Sequence, residues 1–226
     1  MYARTVNGKT LTFGVSGKLV RNSLIMYDHE TQSLWSHLTG SAIQGPLSGS
    51  KLTVLPATET RWSVWKAEYP TTRVLPHDYP GQRDTYARYY AGGEAGILGR
   101  KRGDSRLAAK ALVIGVRVMD APKAYSLDAV LKAKVVNDSI EQVPLVVFAT
   151  SDESASVFER TLNSQTLTFG KVGSTVQDRE TGTTWDPVTG AATAGPLAGQ
   201  HLTPIAQTTS FWFGWFDFFP GTDLYK

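Results

Sequence analysis

Asp28-His29-Glu30-Thr31-Gln32-Ser33-Leu34-Trp35 returns 150 positions later as Asp178-Arg179-Glu180-Thr181-Gly182-Thr183-Thr184-Trp185. The same shift carries Thr39-Gly40 onto Thr189-Gly190, and Gly45-Pro46-Leu47-Ser48-Gly49 onto Gly195-Pro196-Leu197-Ala198-Gly199. It also carries Trp62, Trp65 and Pro70 onto Trp212, Trp215 and Pro220; residues 28 to 72 hold 18 identities in 45 positions. Self-similarity of this kind is the first thing to seek in a chain. Upstream the shift becomes 156, aligning Thr10-Leu11-Thr12-Phe13-Gly14 with Thr166-Leu167-Thr168-Phe169-Gly170. The six-residue difference predicts a longer hairpin in the first copy, around Leu19 to Tyr27. The chain therefore reads as one unit written twice, over residues 2–72 and 158–222.

Each unit reads as short strands closed by a helix. Thr10 to Phe13 alternates polar with apolar, the period of a strand with one buried face, so Leu11 and Phe13 are expected to point inward. Gly-Pro-Leu-x-Gly is a turn phrase joining two strands. Trp62, Trp65 and Tyr69 fall at i, i+3 and i+7, as do Trp212, Trp215 and Phe219, which makes one apolar helix face. Thr60 and Ser210 are the expected caps. The opposite face carries Ser63, Lys66 and Glu68 in the first helix but Phe213, Phe216 and Phe218 in the second, which must be covered by the connector, the other copy or a partner. Between the copies, Ala111–Val118 reads as a strand, Asp120–Lys123 as a turn, Ser126–Lys132 as a helix, and Val143–Ala149 as a central strand. The expected fold class is mainly β with short helices, all-β or α+β, as two pseudo-equivalent repeats packed in one body. The expected organisation is a first repeat over 1–75, a basic, tyrosine-rich connector over 76–111, and a second repeat over 112–226.

Composition narrows function mostly by exclusion. With no cysteine, a disulfide, a thiolate nucleophile and a thiolate-bound metal are all ruled out. No apolar run approaches the roughly 20 residues that span a bilayer, and Met1 leads into a polar segment without a signal-peptide core. The net charge of +3 is concentrated in residues 81–110, where seven basic residues face three acidic ones. Arg100-Lys101-Arg102 can touch phosphate, yet no nucleic-acid reader motif accompanies it, and the loop reads as solvated. The four histidines (His29, His37, His77, His201) have no metal-ligand spacing, no Gly-x-Ser-x-Gly elbow is present, and no cofactor motif is evident.

Two sets of residues remain as site candidates. Asp28, Glu30, Asp178 and Glu180 are paired carboxylates of the kind glycosidases use; against this, Asp followed by Thr three residues on is the pattern of an Asx turn, and its presence in both copies favours a structural role. His77, Arg83, Tyr86, Tyr89 and Tyr90, in the unshared connector, could hold an anionic or sugar ligand, or form a strap over the joint between the copies.

Leu11 to Leu19, Met26 to Trp35, Gly45-Pro46-Leu47-x-Gly49, Gly115-Val116, Ala124-Tyr125, Val136-Asn137-Asp138, Pro144 to Val147 and Phe211-Trp212-Phe213-x-Trp215 together resemble a prokaryotic family catalogued as domain of unknown function 3179. The resemblance covers nearly the whole chain. It implies the duplication and an extracytoplasmic setting, and it transfers no activity, cofactor or catalytic residue. In that family a strand segment like residues 112 to 157 precedes each copy, and the earlier one commonly holds a Cys-Pro-x-Cys-like stretch. Here Met1 falls just past that place, and the equivalent stretch Ala149–Ala155 has no cysteine. The first copy is therefore expected to lack a strand partner, leaving an edge to be covered or paired in an oligomer. Oligomerisation through that edge, or through the Phe213, Phe216 and Phe218 face, is the partner expectation. The functional expectation is a binding or structural module, with a hydrolase of polysaccharide or another polymer as the alternative.

Overall fold

A computed structural model describes residues 1–74, 86–98 and 103–226. His77, Arg83 and the Arg100-Lys101-Arg102 cluster lie outside the described residues. The protein is mainly β, with short antiparallel sheets and four short helices among the described residues. The first stretch runs β1 (Thr5–Val6), β2 (Lys9–Thr10), β3 (Phe13–Val20), β4 (Ser23–Asp28), β5 (Leu34–Ser36) and β6 (Ala42–Gln44), ending in α1 (Trp62–Glu68). A one-turn helix α2 (Ala87–Ala91) lies in the connector. Then come β7 (Leu112–Val118), β8 (Ala121–Ser126), α3 (Leu127–Ala133), β9 (Val135–Ile140), β10 (Val143–Ala149) and β11 (Ala155–Glu159).

The second stretch repeats the order of the first: β12 (Thr161–Leu162), β13 (Gln165–Thr166), β14 (Phe169–Val172), β15 (Thr175–Asp178), β16 (Thr184–Trp185) and β17 (Ala192–Ala194). It adds β18 (Thr203–Pro204) and β19 (Gln207–Phe211), then α4 (Trp212–Phe218) and β20 (Asp223–Tyr225). Registers agree as well. Met26 faces Trp35 in the first stretch, and Val176 faces Trp185 in the second. The Gly-Pro-Leu turns close alike: Gly45 and Gly195 take positive φ, and the Cα atoms of Ser33 and Thr183 lie 2.8 Å from where a β-carbon would sit. Only glycine fits there.

The intervening residues build two sheets that serve the second stretch. In one, the order is β18-β11-β10-β9; in the other, β19-β7-β8-β20, with β20 parallel to β8. β10 is central and buried on both faces. Leu145 and Val147 join a core with Ile114, Val116, Tyr125 and Val130, while Val146 and Phe148 join a second core with Phe169 and Trp185. That double burial explains its unbroken apolar run.

Two local expectations are corrected. Thr60 and Ser210 do not cap the helices: Arg61 and Phe211 hold the N-cap positions in extended backbone without a side-chain cap bond. At α4 the reason is that Ser210 and Phe211 still pair with Val113 and Leu112 in the β ladder, so the strand runs directly into the helix. The turn between β7 and β8 is also shorter than Asp120–Lys123, because Pro122 and Lys123 already pair with Arg117 and Val116.

Candidate functional site

Asp28 ends β4, and the backbone turns back at Gln32, whose φ is positive. The Asp28 carboxylate is buried inside that turn. Its Oδ1 accepts the Thr31 backbone N–H at 2.5 Å, and its Oδ2 accepts the Thr31 hydroxyl and the Trp35 indole N–H, both at 2.9 Å. Asp178 accepts the same bonds from Thr181 and from Trp185, at 2.9 Å for the indole. Glu30 and Glu180 reach to the preceding loop, accepting the Thr12 and Thr168 backbone N–H groups at 2.8 and 2.7 Å. Buried acceptors need partners, and Asp28 and Asp178 find theirs within their own turns, while the exposed Glu30 and Glu180 tie those turns to the preceding loops.

Electrostatics agree with that placement. Burial acts to raise the Asp28 pKa, but the bonds from Trp35, Thr31 and Ser33 outweigh it and hold the carboxyl below its ordinary value. The Thr12 backbone bond holds Glu30 low. In Glu180 burial is again outweighed, there by the bonds from Thr168 and from its own backbone together. A glycosidase acid needs the opposite shift, upward, so that it keeps a proton to give. The four expected carboxylates thus form two matched turns, each tied by its glutamate to the loop before it.

The connector candidates separate. Tyr89 is packed: Lys110 stands 3.8 Å from its ring centre and bonds its carbonyl, its hydroxyl accepts the Gly96 N–H, and its ring meets Phe211 edge-on at 6.3 Å. Tyr90 lies 63% exposed beside Phe211 and lines a cavity of about 380 Å³ with Arg21, His37 and Ser210. Tyr86 is exposed. Tyr89 is packed within the connector and against Phe211, and Tyr90 is exposed.

The helices differ most. In α4, Trp212 is fully buried and Trp215 nearly so, against Val113 and Ala124 of the β7–β8 hairpin. Trp215 lies so close over Gly115 that a β-carbon there would enter its ring. The phenylalanine face is covered within the chain: Phe213 is buried beside Phe211, Phe216 lies under Arg106, and Phe218 under Arg21 of the long β3–β4 hairpin. In α1, Trp65 bonds Thr72 as Trp215 bonds Thr222, both at 2.9 Å, and Tyr69 stacks on Trp65 as Phe219 does on Trp215. Yet Trp62 is 51% exposed where Trp212 is 0%. Residues 57–61, equivalent to β19, form no strand, and among the described residues none of their backbone N–H groups meets a backbone carbonyl.

Two matched recesses lie where the stretches meet. One, of about 240 Å³, sets Trp215 and Phe219 opposite Tyr2, Leu38 and Thr39, and is walled by Gly115, Arg117, Met119 and Asp120 of the hairpin. The other, of about 210 Å³, sets Trp65 and Tyr69 opposite Phe158, Val188 and Thr189. In place of a hairpin wall it has Ser156 and Gln207, whose Oγ and Oε1 are buried without a hydrogen-bond partner among the described residues. Sequence reading missed this recess, because Ser156 of β11 and Gln207 of β19 come to one recess with α1 only through the packing. Among the described residues no three His, Asp or Glu side chains are grouped to hold a metal ion, and no helix is long and apolar enough to cross a membrane.

These features define a mainly β protein with two like helix-closed units and one open helix face. The chain belongs to the family Protein of unknown function (DUF3179), whose model matches residues 1–222. No curated protein and no solved structure matches it.

Proposed function

We propose that this chain is a duplicated, non-catalytic binding module, and that its accepting surface is formed by residues 57–61 and α1. The observation that carries the reading is the contrast between Trp62, 51% exposed, and its counterpart Trp212, fully buried. A large aromatic side chain left open beside an unpaired backbone edge is the usual mark of an interaction site. The matched carboxylates support the same reading, since Asp28 and Asp178 are buried in bonds within their own turns and Glu30 and Glu180 accept the Thr12 and Thr168 N–H groups of the preceding loops. A hydrolase would need one of them free to exchange a proton with substrate. The two stretches are read as products of duplication, with the second completed by β7–β11 and the first left open.

Oxidative footprinting of tryptophan tests this. Trp62 should be modified much faster than Trp212 in the purified chain, and should be shielded in the cells that make it. Equal modification of Trp62 in cells and in purified protein would end the reading.

A further inference from the structure

We infer that the cavity between the β3–β4 hairpin, the connector and α4 binds a small organic anion, an aromatic carboxylate whose ring lies against Tyr90 and Phe211 and whose charge meets Arg21. The site goes beyond the binding-module reading, for neither Trp62 nor any other residue of α1 lines it. It is built from what the two stretches do not share. The first stretch has the longer hairpin, and the tip of that hairpin reaches α4.

At the tip Val20 pairs with Ser23, and Arg21 and Asn22 between them both take positive φ, 50° and 59°. Two-residue turns of this form favour Asn and Gly. Arginine at the first place is held against its backbone preference, and what that conformation sets is the guanidinium. Its Nη1 donates to the Asp217 carbonyl at 2.8 Å, and its Cζ stands 5.4 Å from the centre of the Phe218 ring. Asn22 pins the tip from the other side, its Oδ1 accepting the Leu98 N–H at 2.7 Å. A guanidinium has more N–H donors than the one engaged here, and the rest of the fork is left for an incoming acceptor.

Charge and shape then select the ligand. No aspartate or glutamate is among the described residues that line the cavity, and Arg21 is their one permanent charge. Around it stand aromatic walls. Phe211 stacks on Phe213 at 6.0 Å with 20° between the planes, and the exposed Tyr90 leans on Phe211, also at 6.0 Å. Leu112, exposed as well, completes the slot. At about 380 Å³ the cavity lies toward the small end of ligand pockets, with room for a ring and a short acidic arm. A flat ring stacks on such faces, while a carboxylate takes the planar fork that distinguishes arginine from lysine.

The test titrates the full chain by saturation-transfer NMR with benzoate, phenylacetate and cinnamate, each beside its amide. At least one acid should bind saturably and about tenfold or more tighter than its amide. Arg21→Gln should abolish that preference and leave the amide's affinity as it was, which also shows that the cavity still forms; Arg21→Lys should restore the preference only in part. Tyr90→Ala should weaken acid and amide alike, and Trp62→Ala should change neither. No saturable binding by any of the three acids, equal binding of acid and amide, a preference that survives Arg21→Gln, or binding indifferent to Tyr90→Ala would each overturn the inference. Loss of acid and amide together in Arg21→Gln would overturn it too, since the arginine would then shape the cavity rather than read the charge. Binding abolished by Trp62→Ala would place the ligand on α1, so that this site falls while the binding-module reading stands.

Discussion

α1 and α4 hold the same tryptophans at the same spacing, with the same indole-to-threonine bond, yet one lies on the surface and the other in the core. Local sequence therefore makes the helix and its Trp-Thr clasp. Burial comes from elsewhere, from β7 and β8, which lie over α4 and have no counterpart over α1 among the described residues. The same asymmetry reaches the strands: Phe169 exchanges two 2.8 Å bonds with the Asn137 amide of β9 and is buried, while Phe13 is only half-buried. A unit can keep its turns without this support, since the turns are satisfied internally, but its helix face cannot be buried alone.

Substitutions can break or sharpen the comparison. Trp212→Ala removes a fully buried ring and should cost about 3–5 kcal/mol by urea unfolding, whereas Trp62→Ala should cost under about 0.5 kcal/mol. Equal costs would mean that the two helices are not differently placed. Gly115→Ala should cost about 1–3 kcal/mol, because the new methyl meets the Trp215 ring, and its near-ultraviolet signature should change with it. Asp28→Asn and Asp178→Asn should each cost about 1–3 kcal/mol, and by similar amounts, since each carboxylate binds one indole and one threonine. Unequal losses would show that the leading strands support the second turn too.

Acid provides a milder test. Burial depresses the His37 pKa, so the folded state keeps this ring neutral while the unfolded chain takes up a proton. Its contribution is full above about pH 6.5 and declines as pH falls below that value. His37→Gln should flatten this part of the profile. Asp28 and Glu30, both depressed, contribute above about pH 4 and lose that contribution as pH falls further through their folded values. A stability profile that rises on acidification would contradict both assignments. The smallest effect is expected at Met119, 83% exposed between β7 and β8, where Met119→Gln should leave the unfolding midpoint unchanged.

Much of the architecture was legible because it rests on short-range chemistry. Trp at i and i+3 marks the helices, Gly-Pro-Leu-x-Gly marks the turns, and Asp-x-Glu-Thr marks a carboxylate that bonds its own backbone. The cap of α4 differs from expectation for a tertiary reason, since the ladder with β7 extends the backbone through Phe211. Glycine at 115 carried no sign that it marks the place of an indole 100 residues away. The recess walled by Ser156 and Gln207 was equally hidden, because its sides come from both stretches.

By itself, then, the sequence determined the β-rich class and the satisfaction of Asp28 and Asp178 within their own turns, both set by residues near one another along the chain. Tertiary structure alone decided which tryptophan face is buried and which is open. Burial depends on a sheet contributed by distant residues, and no local pattern records whether that sheet is there.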